Sequence, residues 1–271
     1  MEILISGAST GIGKACALEL AEKGHHIWAG VRSPKSFTEL KSLNLEKLTP
    51  IFLDVTDEES IESCLSEIQA AGRGLDGLVN NAGIAIGGPM EAVPMEDWRR
   101  QFETNVFGLI ALTQAALPHL RQSHGRVVNI SSISGLIGVP FLGPYSASKF
   151  AVESISDCLR REMRRFGVQV AVVEPGPINT PIWAKARCEG QARARAFSPE
   201  MQKVYGSSLS RFSEKVQDSV RSAAPVSVVV KAVVHALTAK RPRTRYPVGR
   251  GVRASSLLFH LLPDRWVDRA F

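Results

Sequence analysis

The stretch "GPYSASKF", Gly143 to Phe150, sets Tyr145 and Lys149 four residues apart with only Ser146, Ala147 and Ser148 between them. On a helix, residues i and i+4 stack on one face, so the phenol and the ammonium become neighbours over a strip cleared of bulk. A free tyrosine titrates near ~10 and is a poor base at neutral pH. A nearby ammonium favours the phenolate and draws that value down, which makes Tyr145 a candidate proton donor and acceptor.

Such a pair needs a scaffold. Six short runs rich in β-branched residues, "EILIS", "HHIWAGV", "LTPIFLDV", "GLDGLVNN", "GRVVNISS" and "VQVAVVEPG", are each followed by a longer stretch of helical periodicity. That alternation predicts an α/β fold: a doubly wound parallel sheet of the Rossmann type, since parallel strands need crossover helices and are apolar on both faces. Ligands then bind beyond the carboxyl ends of the strands, so the residues just after each strand carry the information.

After the first run, "SGASTGIGKACALELAEKG" places Gly7, Gly11 and Gly13 ahead of a helical pattern. Glycines let the turn tighten and the backbone approach a pyrophosphate, which then sits on the N–H groups opening the helix. Ser9, Thr10, Gly11 and Ile12 form the body of that candidate cradle. The second run ends in Arg32 and Ser33, with no acid until Glu39. An acid there would hold a 2′-hydroxyl, whereas arginine forks to a 2′-phosphate, so NADP is expected over NAD. Asp54 and Val55 end the third run and suit an adenine, Asp54 having helix capping as its rival role. "NNAG", with Asn81, Ala82 and Gly83, follows the fourth and suits a ribose, although its asparagines also suit a plain turn.

Gly7-x-x-x-Gly11-x-Gly13, Asn80-Asn81-Ala82-Gly83, Asn105, Ser132, Tyr145-x-x-x-Lys149 and Pro175-Gly176 occur in this order along residues 3 to about 182. In motif and spacing the chain resembles the short-chain dehydrogenase/reductases, in particular hydroxysteroid- and retinol-dehydrogenase-like members. Ser6 stands where the family often has threonine. The resemblance implies hydride transfer between a nicotinamide and an alcohol or carbonyl. In that scheme Tyr145 is the acid/base, Lys149 holds the nicotinamide ribose, and Ser132 bonds the substrate oxygen. Asn105 fixes a helix kink and a proton-relaying water. Ser131 is expected to point away from Ser132 if its strand continues. Pro175, Gly176, Ile178 and Thr180, in "EPGPINTPIW", resemble the segment under the nicotinamide carboxamide. A catalytically idle NADP-sensing protein on the same fold is the competing class; it would have no need of Ser132, Tyr145 and Lys149 together.

The remaining sequence narrows partners. At 271 residues, 44% apolar and 22% charged, without a linker or repeat, the chain is expected to form a single domain over 1–271. Residues about 181–225 mix basic residues with Trp183, Phe197, Met201 and Tyr205 and are expected to form a substrate lid. With Ile86, Ile133, Phe141 and Leu142 that lid would enclose a bulky lipophilic alcohol or carbonyl. An extension follows at about 240–271. The net charge of +7 gathers late, in "KRPRTRYPVGRGVR" (Lys240 to Arg253), which reads as a solvated face or a loop beside an anion; no pattern supports nucleic-acid binding. Cys16, Cys64, Cys158 and Cys188 form no C-x-x-C pair, and no histidine cluster suggests a metal. The cysteines read as small buried residues of a reducing compartment, and with no signal-like or spanning run a cytoplasmic location is expected. "ASSLLFHLLPDRWVDRAF" is apolar enough for weak membrane-surface contact, although packing on the domain or on a second subunit is the simpler role. Ala147, Ala151, Ile155 and Leu159 form a stripe suited to a homodimer or homotetramer.

Overall fold

The computed structural model describes residues 1–249, 251–252, 254 and 262–270. Strands and helices alternate: β1 (Glu2–Ile5), α1 (Gly11–Glu22), β2 (His26–Val31), α2 (Pro34–Lys41), β3 (Leu48–Phe52), α3 (Glu58–Ala70) and β4 (Gly77–Asn80). Then come α4 (Met95–Phe102), a π-helical turn (Glu103–Phe107), α5 (Gly108–Gln122), β5 (Arg126–Ile130), α6 (Gly143–Met163) and β6 (Gln169–Pro175). The last part holds α7 (Pro181–Arg195), α8 (Pro199–Arg221), α9 (Ser227–Thr238) and β7 (Arg245–Val248).

All paired strands run parallel in the order β3-β2-β1-β4-β5-β6-β7. Successive side chains leave opposite faces, so Ile3 and Ile5 enter the core beneath α1 and α9 while Leu4 enters the core beneath α3 and α5. Both faces of the sheet are therefore buried, the physical reason the strands are continuous apolar runs. The chain order reverses at β1, which pairs with β2 on one side and β4 on the other. Ligands of such sheets bind beyond the carboxyl ends of the strands at this reversal.

Two expectations change. The basic run from Lys240 is not simply a solvated loop: it contains β7, a four-residue edge strand that tolerates Pro247 because an edge need not donate on its outer side. Cys16 and Cys64 are buried as expected, but Cys158 and Cys188 are exposed, being on the outer faces of α6 and α7. Residues 181–225 are mostly helix, α7 and α8, neither with a fully buried residue. The excursion leaves and rejoins the body at one point: Ala224 N–H donates to the Pro177 carbonyl at 3.1 Å, and Asn179 N–H to the Ala224 carbonyl at 3.3 Å. Among the described residues no helix is long and apolar enough to cross a membrane. Much of the C-terminal segment expected at a membrane surface lies outside the described residues; within it Trp266 is exposed.

Candidate active site

The glycine turn is held by two side chains, those of Ser6 and Asn81. Gly7 has φ +64°, and a Cβ there would stand 2.8 Å from Ala82 Cα, so the turn and the loop after β4 touch without a side chain between them. Ser6 Oγ accepts from the Asn81 and Ala82 N–H groups, both at 3.0 Å. Asn81 Nδ2 returns bonds to the carbonyls of Ser6 and Gly7, also at 3.0 Å. Asn81 thus shapes the turn from within. No side chain caps α1 after Thr10, which leaves its first N–H groups to an outside acceptor.

Beyond the strand ends lies a cavity of about 280 Å³. Gly7, Ser9, Thr10, Gly11 and Ile12 line it together with Arg32, Asp54 and Val55. So do Asn81, Ala82 and Gly83, and Ser132, Tyr145, Lys149, Pro175, Gly176, Ile178 and Thr180. Residues scattered over most of the chain therefore converge on one space. Gly13, Ser33 and Asn105 do not line it. A Cβ on Gly13 would stand 2.4 Å from Asn81 Nδ2 and from the Gly7 carbonyl oxygen, so this glycine lets α1 pack onto the turn. Ser33 caps α2, accepting from Ser36 N–H at 3.2 Å.

Asn105 lies in the π turn, where its Oδ1 accepts from Ile84 N–H at 2.9 Å and its Nδ2 donates to the Ile84 carbonyl at 3.0 Å and to Ser148 Oγ at 3.1 Å. Its side chain clamps the loop after β4 onto α6. Gln101, one helical turn earlier and fully buried, does the same for Ile86 N–H and the Ile84 carbonyl, at 2.7 and 2.9 Å. Its i, i+4 spacing from Asn105 was the signal in the sequence. Ile86 is core and not cavity wall.

At the reacting end, Tyr145 is buried and Lys149 Nζ lies 5.8 Å from its ring centroid, as the i, i+4 spacing requires. Lys149 donates to the Ile130 carbonyl at 2.8 Å. Ser132 Oγ accepts from Ser134 N–H at 3.1 Å. Strand β5 ends at Ile130, so strand alternation no longer applies and Ser131 lines the cavity beside Ser132. The titration of the pair departs from the expectation. Burial pushes the Tyr145 phenol up from its ordinary value, the Ser132 hydroxyl acting against it. Burial also draws Lys149 down to about 8, with Glu153 opposing. Desolvation is the largest cause in both, and it favours the protonated phenol of Tyr145 over the phenolate.

Asp54 does not cap α3, a role taken by Asp57, which accepts from Glu59 N–H at 3.1 Å. Asp54 Oδ1 instead accepts from Thr56 N–H and Oγ1–H, and its Oδ2 faces Arg32 Nε at 3.8 Å. Arg32 is largely exposed at the rim, its guanidinium held loosely enough to turn to a ligand. A second, apolar cavity of about 130 Å³ opens between α7, α8 and the loops carrying Pro89 and Phe141. The two cavities share Trp183 and Ala186, and Trp183 meets Tyr145 edge to face at 5.8 Å. Ile182, Lys185, Ala186 and Glu189 of α7 line the first cavity as well, residues whose helical spacing alone did not single them out. Among the described residues no His/Cys/Asp/Glu group could hold a metal ion.

Residues 2–190 match the short chain dehydrogenase family model. A NADPH-dependent 3-dehydrocapnine reductase of Ornithobacterium rhinotracheale is 36% identical over 275 residues, covering 99% of this chain and 95% of that protein. Retinol dehydrogenase 5 of Mus musculus is 37% identical over 274 residues, covering 98% and 86%. Among solved structures, a short chain dehydrogenase/reductase from Burkholderia phymatum in complex with NAD superposes with a TM-score of 0.80 at 23% identity, covering 96% and 92%.

Proposed function

The chain belongs to the short chain dehydrogenase family and is an NAD(P)-dependent oxidoreductase; on that premise we propose that it prefers NADP(H) and reduces the carbonyl of a bulky lipophilic molecule, with Tyr145 as general acid. The observation that carries this reading is that Ser132, Tyr145 and Lys149 line the same cavity as Arg32 and the turn before the uncapped N-terminus of α1.

The donor set fits a dinucleotide. Gly7 clears the approach, the opening N–H groups of α1 await a pyrophosphate, and Arg32 offers a fork to a 2′-phosphate where the usual acid is missing. Relatives and neighbours include both an NADPH-dependent protein and an NAD-bound one, so it is Arg32 that favours NADP in this chain. Asp54 and Val55 would flank the adenine, Asn81 to Gly83 the ribose, and Pro175 to Thr180 the nicotinamide.

When bound, the nicotinamide supplies or takes the hydride. Tyr145 gives its phenolic proton to the carbonyl oxygen as the carbon is reduced, leaving an alcohol and a phenolate. Ser132 donates to that oxygen as charge grows on it. Lys149, held by Ile130, keeps a positive charge beneath the ring and steadies the phenolate. Asn105 and Gln101 hold the floor of the site in place. A phenol raised by burial suits reduction, in which tyrosine must start protonated.

The helices α7 and α8 would act as the lid, both ends pinned at Ala224, with the apolar cavity behind Trp183 receiving the substrate body. Exposed Phe107, and exposed Phe150 on the same helix as the Ala147, Ala151 and Ile155 stripe, favour a homo-oligomer. Unpaired cysteines favour the cytoplasm. The test is NADPH oxidation against ketones and aldehydes of increasing apolar bulk. Turnover rising with bulk is expected; faster turnover of small hydrophilic carbonyls would overturn the lipophilic assignment.

A further inference from the structure

One buried carboxylate near the reacting end has no part in the scheme above. Glu153 lies one helical turn after Lys149 on the same face of α6 and is 6% exposed. It is ion-paired with Arg245 of β7, and the same Arg245 Nη1 contacts Glu174 of β6 at 2.6 Å, while Nη2 reaches Asp157 of α6 at 3.1 Å. Glu174 is also buried, at 2% exposed. One arginine on the edge strand therefore gathers three carboxylates behind the helix that carries Tyr145 and Lys149. Asp157 is also met by Arg160 and Arg161, whereas Glu153 and Glu174 are the desolvated pair, and burying such charge costs stability unless it is compensated.

Glu153 meets Arg245 through Oε2. Its Oε1 has no hydrogen-bond partner, nor has Ser131 Oγ, yet the Ser131 hydroxyl is near enough to favour the ionised carboxylate. Ser131 lines the cavity and directly follows Ile130, the acceptor of the Lys149 ammonium. Lysine and glutamate thus flank the same end of β5. The other groups about Lys149 are neutral: Tyr145 on its own helix, Ser132 after β5, and Ser148 held by Asn105 and Gln101.

We propose that Glu153 is a positioning residue for Lys149: anchored by Arg245, it supplies the countercharge that keeps the buried lysine an ammonium beneath Tyr145. The role of β7 is then more than closing the sheet, since its arginine holds Glu153 in the charged form. Burial raises Glu153 and Glu174, each opposed by Arg245, and Glu153 in turn raises Glu174. Arg245 itself is held protonated by both carboxylates.

The role rests on the assignment of Lys149 to the reaction, but the test does not. Lysine labelled with ¹³C at Cε is titrated by NMR in the cofactor-free protein, the Lys149 signal being assigned with Lys149→Met. Glu153→Gln is expected to move the Lys149 midpoint down by about one pH unit, as loss of a near opposite charge does. Glu153→Asp, which keeps the charge, is expected to bring it back toward wild type. Glu174→Gln, which frees Arg245 for Glu153, leaves the midpoint in place or moves it up. A purely structural network would make Glu174→Gln and Glu153→Gln act alike. A midpoint unmoved in Glu153→Gln, or lowered in Glu174→Gln, overturns the proposal, and the second variant decides alone should the first not fold. Absence of NADPH turnover with the expected titrations would count against the proposed function and leave this inference standing.

Discussion

The Lys149 ammonium donates to the Ile130 carbonyl at 2.8 Å, tying the middle of α6 to the carboxyl end of β5. The same contact fixes the lysine under Tyr145 and strips its water. The cost is the drop from 10.5 to about 8 in its proton affinity.

That drop sets a pH dependence. Between about 8 and 10.5 the unfolded chain holds a proton that the folded Lys149 has released, so this residue's contribution to stability rises with pH across that window. Below about 8 both states hold the proton and the burial penalty is constant. Lys149→Met is expected to be more stable than wild type at neutral pH, by on the order of 1–3 kcal/mol, with the gap closing in alkali. Urea unfolding of both proteins at neutral pH and in alkali measures it, and a gap independent of pH would contradict the assignment. Activity should run the other way, falling as the ammonium is lost.

Arg32 is the charged contact expected for a 2′-phosphate. Its replacement by alanine should weaken NADPH binding about tenfold, in keeping with one charge-assisted hydrogen bond, and leave NADH binding unchanged. Quenching of tryptophan fluorescence by each cofactor checks this. Equal losses for both would move the 2′ site elsewhere.

Gly13 is required by packing and not by contact with ligand. A Cβ there meets Asn81 Nδ2 and the Gly7 carbonyl at 2.4 Å, so Gly13→Ala should cost about 1–3 kcal/mol and weaken NADPH binding through the displaced turn. Gly74→Ala, where no atom lies within 4 Å, should stay within about 0.5 kcal/mol. Thermal and urea unfolding compare the two.

Trp183 separates the two cavities while touching Tyr145. Trp183→Ala should lower kcat/KM about tenfold for bulky apolar carbonyls with little change in NADPH affinity, because only the substrate wall is lost. Steady-state kinetics across the substrate series would show it as a change of preference.

Where side-chain chemistry and spacing agree, the sequence discloses the site: the glycine turn, the Asn81 loop and the Tyr145–Lys149 pair are local patterns that only one backbone arrangement satisfies. Arg245–Val248 is invisible as a strand because it is four residues long, carries a proline and begins with an arginine whose partners Glu153 and Glu174 are distant in the chain. Ser131 is misread because a strand's alternation ends where the strand does, at Ile130. The direction of the Tyr145 shift depends on burial, which spacing does not report; an i, i+4 ammonium promises a phenolate, and desolvation reverses it.

The most direct measurement follows deuterium from 4-deuterated NADPH into a lipophilic ketone by mass spectrometry, in wild type and in Tyr145→Phe. The account predicts label on the carbinol carbon with wild type and a loss of about 10²–10⁴-fold in Tyr145→Phe while NADPH still binds. Binding of NADPH by the wild type without transfer of label to any carbonyl, or undiminished transfer in Tyr145→Phe, would contradict it.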